Sequence, residues 1–156
     1  MATLQDYFTF EMVYLWTTFG VLPFWLMLIF IPNHMMVKVL INSIILPLIL
    51  AIAYSYVAYQ IVIEQSSFTE FFDLYRGLEN LYVLFSNENF LLVFWLHFLA
   101  INLFIGSWLS RDAAKLGIAK KLAAFPLIII YFCGPLGLVL YWFLRIFYSK
   151  KLTFYD

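Results

Sequence analysis

One apolar stretch of the chain, residues 95–112 (WLHFLAINLFIGSWLSRD), carries the side chains best suited to chemistry. His97 can take up and release a proton near neutral pH, and Asn102 can both donate and accept hydrogen bonds. The stretch ends on the charged pair Arg111 and Asp112. Because polar side chains inside an apolar span are costly, we predict that these four residues form a catalytic or ligand-binding set.

Each of the four residues also has a structural explanation. His97 and Asn102 can hydrogen-bond to neighbouring helices, while Arg111 can reach the membrane surface and pair locally with Asp112. On a helix, His97 and Arg111 share one face, and Asn102 lies about 140° away from it. The sequence leaves the functional and the structural explanations open.

The composition predicts that these residues lie in a membrane protein. Of 156 residues, 65% are hydrophobic and only 12% are charged, whereas a soluble domain has about a quarter charged residues. A net charge of zero argues against binding to nucleic acid. The only histidines are His34 and His97, so we predict no metal site, and no cofactor is required.

Four apolar runs predict four transmembrane helices in a single all-α domain over residues 1–156. The predicted spans are 12–31, 37–63, 90–109 and 122–147, and Gly134-Pro135 should break the last one. Residues 67–85 have apolar side chains at helical spacing, and they predict an amphipathic helix on the membrane surface, with a capping box at Ser67 and Glu70. A simple linking loop is the alternative for this segment.

The N-terminal residues MATLQDYFTFE contain no basic residue, so they do not resemble a signal or transit peptide. We therefore expect a bacterial inner membrane, or an organelle membrane of the thylakoid type. Four spans place four basic residues on the side of the termini and five on the other side. This difference does not decide the orientation by the positive-inside rule, and we expect the termini to lie outside.

The strings WLHFLAINLFIGSWLSRDAAKLGI and FCGPLGLVLYWFLR resemble the abscisic-acid-deficient-four-like family of small four-helix membrane proteins, whose plant members are known as neoxanthin synthases. The resemblance covers essentially the whole chain and is most specific from Trp95 to Arg145. Trp95, His97 and Asp112 match the family pattern. Asn102 stands where the family usually has aspartate, which removes an acid from the span.

The resemblance implies a carotenoid or related isoprenoid ligand and a redox-neutral isomerisation, in which an epoxide opens as its oxygen is protonated and a carbon loses a proton. His97 would carry a proton, and Arg111 and Asp112 would assist at the membrane edge. The ligand would lie against aromatic side chains and the helix break, at Trp95, Phe98, Phe104, Trp108, Gly134 and Pro135. The alternative is a non-catalytic subunit of a membrane complex, in which the partners are other subunits and lipid.

Overall fold

The computed structural model describes residues 9–64, 72 and 75–149, which form five α-helices and one π-helical turn. The helices are α1 (Phe10–Phe30), α2 (Ile45–Glu64), α3 (Leu78–Phe85), α4 (Glu88–Lys115) and α5 (Lys120–Ser149), and the π-helical turn covers Val37–Ile41. No strand occurs within the described residues. The predicted all-α class is confirmed.

Three of these helices, α1, α4 and α5, are long and apolar enough to cross a membrane. The apolar part of α2, Ile45–Ile61, is shorter, so the fourth predicted span stays a prediction. The predicted span over 37–63 is interrupted near Pro47, as its sequence indicates, since residues 42–44 separate the π-helical turn from α2. Pro47 explains the break: it has no N–H to bond the preceding turn, but it is tolerated in the first turn of a new helix.

The predicted amphipathic helix over 67–85 is described only at its end, where α3 forms, and Ser67 and Glu70 lie outside the described residues. No residue of α3 is buried. Leu78, Tyr82 and Val83 expose their apolar side chains, as a helix lying on a membrane surface would. Phe85 connects α3 to α4 through the ring of Phe94, with 4.8 Å between the ring centroids.

The chain divides into two compact units. The first unit comprises Met1–Gly20 and Leu48–Leu99, and the second comprises Val21–Pro47 and Ala100–Asp156. The single-domain prediction over 1–156 stays a prediction. In the first unit, α1, α2 and α4 pack around a buried apolar core formed by Val13, Val57, Ile61, Leu92, Val93 and Leu96.

The second unit is built on a close contact between helices. Gly106 of α4 faces Trp25 of α1, which is only 3% exposed, and a Cβ at Gly106 would stand 2.7 Å from the indole ring. The other side of Trp25 meets the ring of Tyr131 from α5, with 5.5 Å between centroids. The glycine therefore allows α4 to approach a large aromatic side chain.

Helix α5 contains the predicted break. Cys133 and Gly134 have non-helical backbone angles, directly before Pro135. The proline lacks the N–H that the preceding turn would use, so the helix changes direction there. This prediction is confirmed.

Candidate functional site

The first unit contains a pocket of about 490 Å³ between the beginnings of α1 and α4. This volume lies within the range of about 300–1,000 Å³ that is typical of small-molecule sites. The pocket is lined by Phe10, Glu11, Tyr14, Glu88, Asn89, Leu91, Leu92 and Trp95. Most of its wall is apolar, and two carboxylates and one amide supply the polar groups.

Helix capping places the two acidic residues in the first turns of their helices. The side chain of Thr9 accepts a hydrogen bond from the Met12 N–H at the start of α1, and Glu11 occupies the first turn. The side chain of Asn87 accepts a bond from the Asn89 N–H at the start of α4, 2.9 Å away, and Glu88 follows directly. Acidic residues are favourable at helix N-termini, where backbone N–H groups point outward.

Trp95 forms the inner part of the pocket wall and is held in place by its own contacts. Its indole N–H donates to the Thr18 hydroxyl at 2.9 Å, and its ring lies 6.2 Å from the ring of Tyr14. Phe98 stacks on Trp95 with 5.4 Å between centroids. Because Trp95 follows Glu88 by seven residues, it lies about 10 Å further along the helix. The pocket thus extends from carboxylates at the helix ends to an aromatic wall.

His97 does not line this pocket. It is exposed, and its ring lies 6.0 Å from the ring of Tyr54 of α2, measured between centroids. The side chains of Trp95 and His97 lie on different faces of α4, because residues two positions apart on a helix are separated by about 200°. Within the described part of the chain, His97 has no hydrogen-bond partner.

Asn102 is 5% exposed and packs against the break in α5. A Cβ at Gly134 would collide with its side chain, so glycine is required for this approach. The amide nitrogen of Asn102 is buried and has no hydrogen-bond partner among the described residues. Close packing is therefore present between α4 and α5, but the expected hydrogen bond from this nitrogen is not.

Arg111 and Asp112 contact different elements of the second unit. Arg111 donates to the backbone carbonyl of Asn42, between the π-helical turn and α2. The Oδ2 atom of Asp112 accepts hydrogen bonds from the Tyr141 hydroxyl at 2.6 Å and from Arg145 Nε at 2.8 Å, both on α5. The predicted local pair is replaced by these contacts, because adjacent residues on a helix do not face each other.

The remaining predicted ligand residues are spread over the second unit. Phe104 lines a pocket with Arg111. Trp108 meets the ring of Tyr141 edge-on, with 5.7 Å between centroids. Pro135 is exposed at the helix break. The described residues hold no cluster of three or more side chains suited to a metal ion.

Comparison with known proteins identifies the family of this chain. A model of the ABA DEFICIENT 4-like family matches residues 12–141. The chain belongs to the ABA DEFICIENT 4-like family. No curated protein and no solved structure matches it. The family match includes Glu88 and Trp95, and it begins one residue after Glu11. It also includes the four predicted polar site residues of α4, namely His97, Asn102, Arg111 and Asp112.

Glu11, Tyr14 and Glu88 were not among the site residues predicted from the sequence. Two signals were present: each carboxylate precedes an apolar run, and each is followed by an aromatic residue one or two turns later. These signals are weak, because acids at helix starts and aromatic residues at membrane edges are both common for structural reasons.

Proposed function

We propose that this protein binds a carotenoid or a related isoprenoid in the pocket between the starts of α1 and α4, and that it can isomerise this ligand. The observation that carries the proposal is the composition of the pocket wall. Trp95, Tyr14 and Phe10 offer flat apolar surfaces for a conjugated hydrocarbon, while Glu11 and Glu88 offer oxygen atoms to a polar end group. Family membership, together with the carotenoid chemistry that the resemblance implies, favours this ligand class.

The proposed reaction needs an acid and a base but no redox partner. One carboxyl group donates a proton to the epoxide oxygen as the C–O bond breaks, and a carboxylate accepts a proton from carbon. Glu11 and Glu88 can fill these two roles because both line the pocket. Aromatic side chains can stabilise the positive charge that develops.

A pigment-binding experiment tests the first half of this proposal. Protein purified gently from its membrane should carry a carotenoid, and Trp95→Leu should reduce the bound pigment several-fold. Trp16→Leu is the matched control, since Trp16 is a half-exposed tryptophan of α1 outside the pocket. Equal pigment in all three proteins, or none in the wild type, would refute the proposed pocket.

A turnover experiment tests the second half. In membranes supplied with a xanthophyll epoxide, Glu88→Gln should lower product formation at least 100-fold, the usual size of a general acid or base contribution. Glu79→Gln, which removes an exposed carboxylate of α3, is the control. Turnover unchanged by Glu88→Gln would exclude this residue as acid or base.

A non-catalytic subunit of a membrane complex is the second candidate function, and the position of His97 favours it. An exposed imidazole in an apolar helix is costly in lipid unless a partner covers it. If His97 contacts another subunit, His97→Ala should release that subunit during purification while leaving bound pigment unchanged. A variant that keeps all partners would contradict this function.

The proposed location is a bacterial inner membrane with the termini outside. Residues 31–44 and 111–121 hold five basic residues (Lys38, Arg111, Lys115, Lys120 and Lys121) and a single acidic one, Asp112. Short basic connections favour the cytoplasmic side. Alkaline phosphatase, which is active only outside, should be inactive when fused after Gly117 and active when fused after Asp156.

A further inference from the structure

We propose that the second unit contains a binding site for a phosphate group, at the pocket between Arg111 and the break before α2. This site is separate from the proposed isoprenoid pocket, with which it shares no residue. The pocket has a volume of about 320 Å³. It is lined by Asn42, Ser43, Ile44, Phe104, Ser107 and Arg111.

Arg111 gives this pocket its charge. The guanidinium has five N–H donors, and its hydrogen bond to the Asn42 carbonyl leaves most of them available. Its neighbour Asp112 is bonded to Tyr141 and Arg145 instead. In the described part of the chain, no carboxylate pairs with Arg111 or lines the pocket. A planar guanidinium matches the geometry of phosphate oxygens.

The pocket wall is fixed by hydrogen bonds. The hydroxyl of Ser107, which is 2% exposed, donates to the Ile41 carbonyl at 3.2 Å and lies 3.3 Å from the Asn42 side-chain oxygen. These contacts hold the segment after the π-helical turn against α4. Ile44 has a φ of 72°, an unusual conformation for a β-branched residue. The wall is therefore a defined backbone structure rather than a loose connection.

The position of the pocket along α4 suits an amphiphilic ligand. Arg111 is the first charged residue after Glu88, so it marks the end of a long apolar run. Phe104 lines the same pocket two turns earlier and offers an apolar surface for a hydrocarbon chain. The basic connections near Arg111 contribute four further positive charges, from Lys38, Lys115, Lys120 and Lys121. A phosphate at the head of a lipid matches this arrangement, and free phosphate shares the same chemistry.

Lipid binding to the full-length protein tests the site. Native mass spectrometry in detergent would compare phosphatidic acid with diacylglycerol, which lacks the phosphate, and with inorganic phosphate. We expect phosphatidic acid to bind at least 10-fold more tightly than diacylglycerol. Arg111→Gln should lower this affinity about 10-fold or more, because a hydrogen bond to a charged group contributes about 1.5–3 kcal/mol. Lys115→Gln removes the same charge one turn away on α4 and should have less than a threefold effect.

Two further variants separate a built site from general attraction to a basic surface. Arg111→Lys keeps the charge but loses the planar fork, so a built site should lose several-fold affinity. Ser43→Asp places a negative charge at an exposed wall position and should abolish binding, whereas Ser43→Ala should not. Because Ser43 is exposed, its two variants should fold, and they test the site even if Arg111→Gln does not fold.

The outcomes distinguish the sources of the phosphate. Binding of both phosphatidic acid and inorganic phosphate, with equal sensitivity to Arg111→Gln, would indicate a site for phosphate itself. Binding of the lipid alone, with the same sensitivity, would indicate a headgroup site that also needs the hydrocarbon chain. Equal binding of diacylglycerol and phosphatidic acid, or equal losses in Arg111→Gln and Lys115→Gln, would overturn the proposal.

Discussion

Replacing Asp112 with asparagine should destabilise the second unit strongly, because it leaves Arg145 as a buried cation without its carboxylate. Arg145 is 2% exposed, and its Nε lies 2.8 Å from Asp112 Oδ2. Removing one partner of a buried ion pair typically costs about 3–5 kcal/mol. Asparagine keeps an oxygen that can still accept from Tyr141, so we expect about 3 kcal/mol. This value corresponds to a change of about 100-fold in the ratio of folded to unfolded protein.

The assay is reversible unfolding by sodium dodecyl sulfate in mixed micelles, followed by tryptophan fluorescence. Tyr141→Phe removes one hydrogen bond to a charged group and should cost about 1.5–3 kcal/mol, no more than Asp112→Asn. Glu79→Gln, at an exposed carboxylate of α3, should change stability by less than about 0.5 kcal/mol.

A double-mutant cycle isolates the ion pair, since Arg145 makes other interactions as well. Asp112→Asn should cost much less in an Arg145→Met background, because no buried cation remains to lose its partner. A coupling energy near zero would refute the reasoning. So would an Asp112→Asn protein within about 1 kcal/mol of the wild type.

Three further substitutions test the packing of the second unit and its backbone strain by the same unfolding assay, and Gly20→Ala in the first unit serves as a control. Gly106→Ala should cost about 1–3 kcal/mol, because the new Cβ would stand 2.7 Å from the ring of Trp25. Gly20→Ala has open space around the new Cβ and should stabilise by about 0.5–1 kcal/mol. Equal effects of the two substitutions would contradict the close contact at Gly106. Ile44→Gly should stabilise by about 0.5–1 kcal/mol, since φ is 72° there, and a loss of stability would mean that the side chain matters more than the backbone strain. Asn102→Leu should stabilise by about 1 kcal/mol by removing an unpaired buried donor, and a large loss would show that the amide has a partner in the membrane.

The features that could be predicted from the sequence are those fixed by local rules. The apolar runs predicted α1, α4 and α5, and Gly134-Pro135 predicted the break in α5, because proline chemistry acts on its own helix. The length of the second span could not be predicted. Asn42 and Ser43 interrupt its apolar run and Pro47 disfavours a continuous helix, but these signals do not fix the residue at which the helix stops, which the backbone of Ile44 shows.

Contacts between distant residues were not predictable in the same way. A local pair with Arg111 was one explanation that the sequence left open for Asp112, yet Asp112 bonds Arg145, 33 residues away. An acidic residue in an apolar helix indicates that a partner exists. Helical spacing gives only the face of the helix on which that partner lies, and does not identify the partner. The pocket at Glu11 and Glu88 illustrates the same limit, since it needs two helix starts to lie side by side.

The two proposed sites make separable predictions because they lie in different units and share no side chain. If the isoprenoid pocket is correct, Glu88→Gln should change turnover without affecting binding of phosphatidic acid. If the phosphate site is correct, Arg111→Gln should change lipid binding without affecting the pigment. A loss of both properties in one variant would indicate a folding defect, which the unfolding assay would detect as a cost comparable to that of Asp112→Asn. Such a result would mean that the substituted residue stabilises the fold of this protein and does not act in either site.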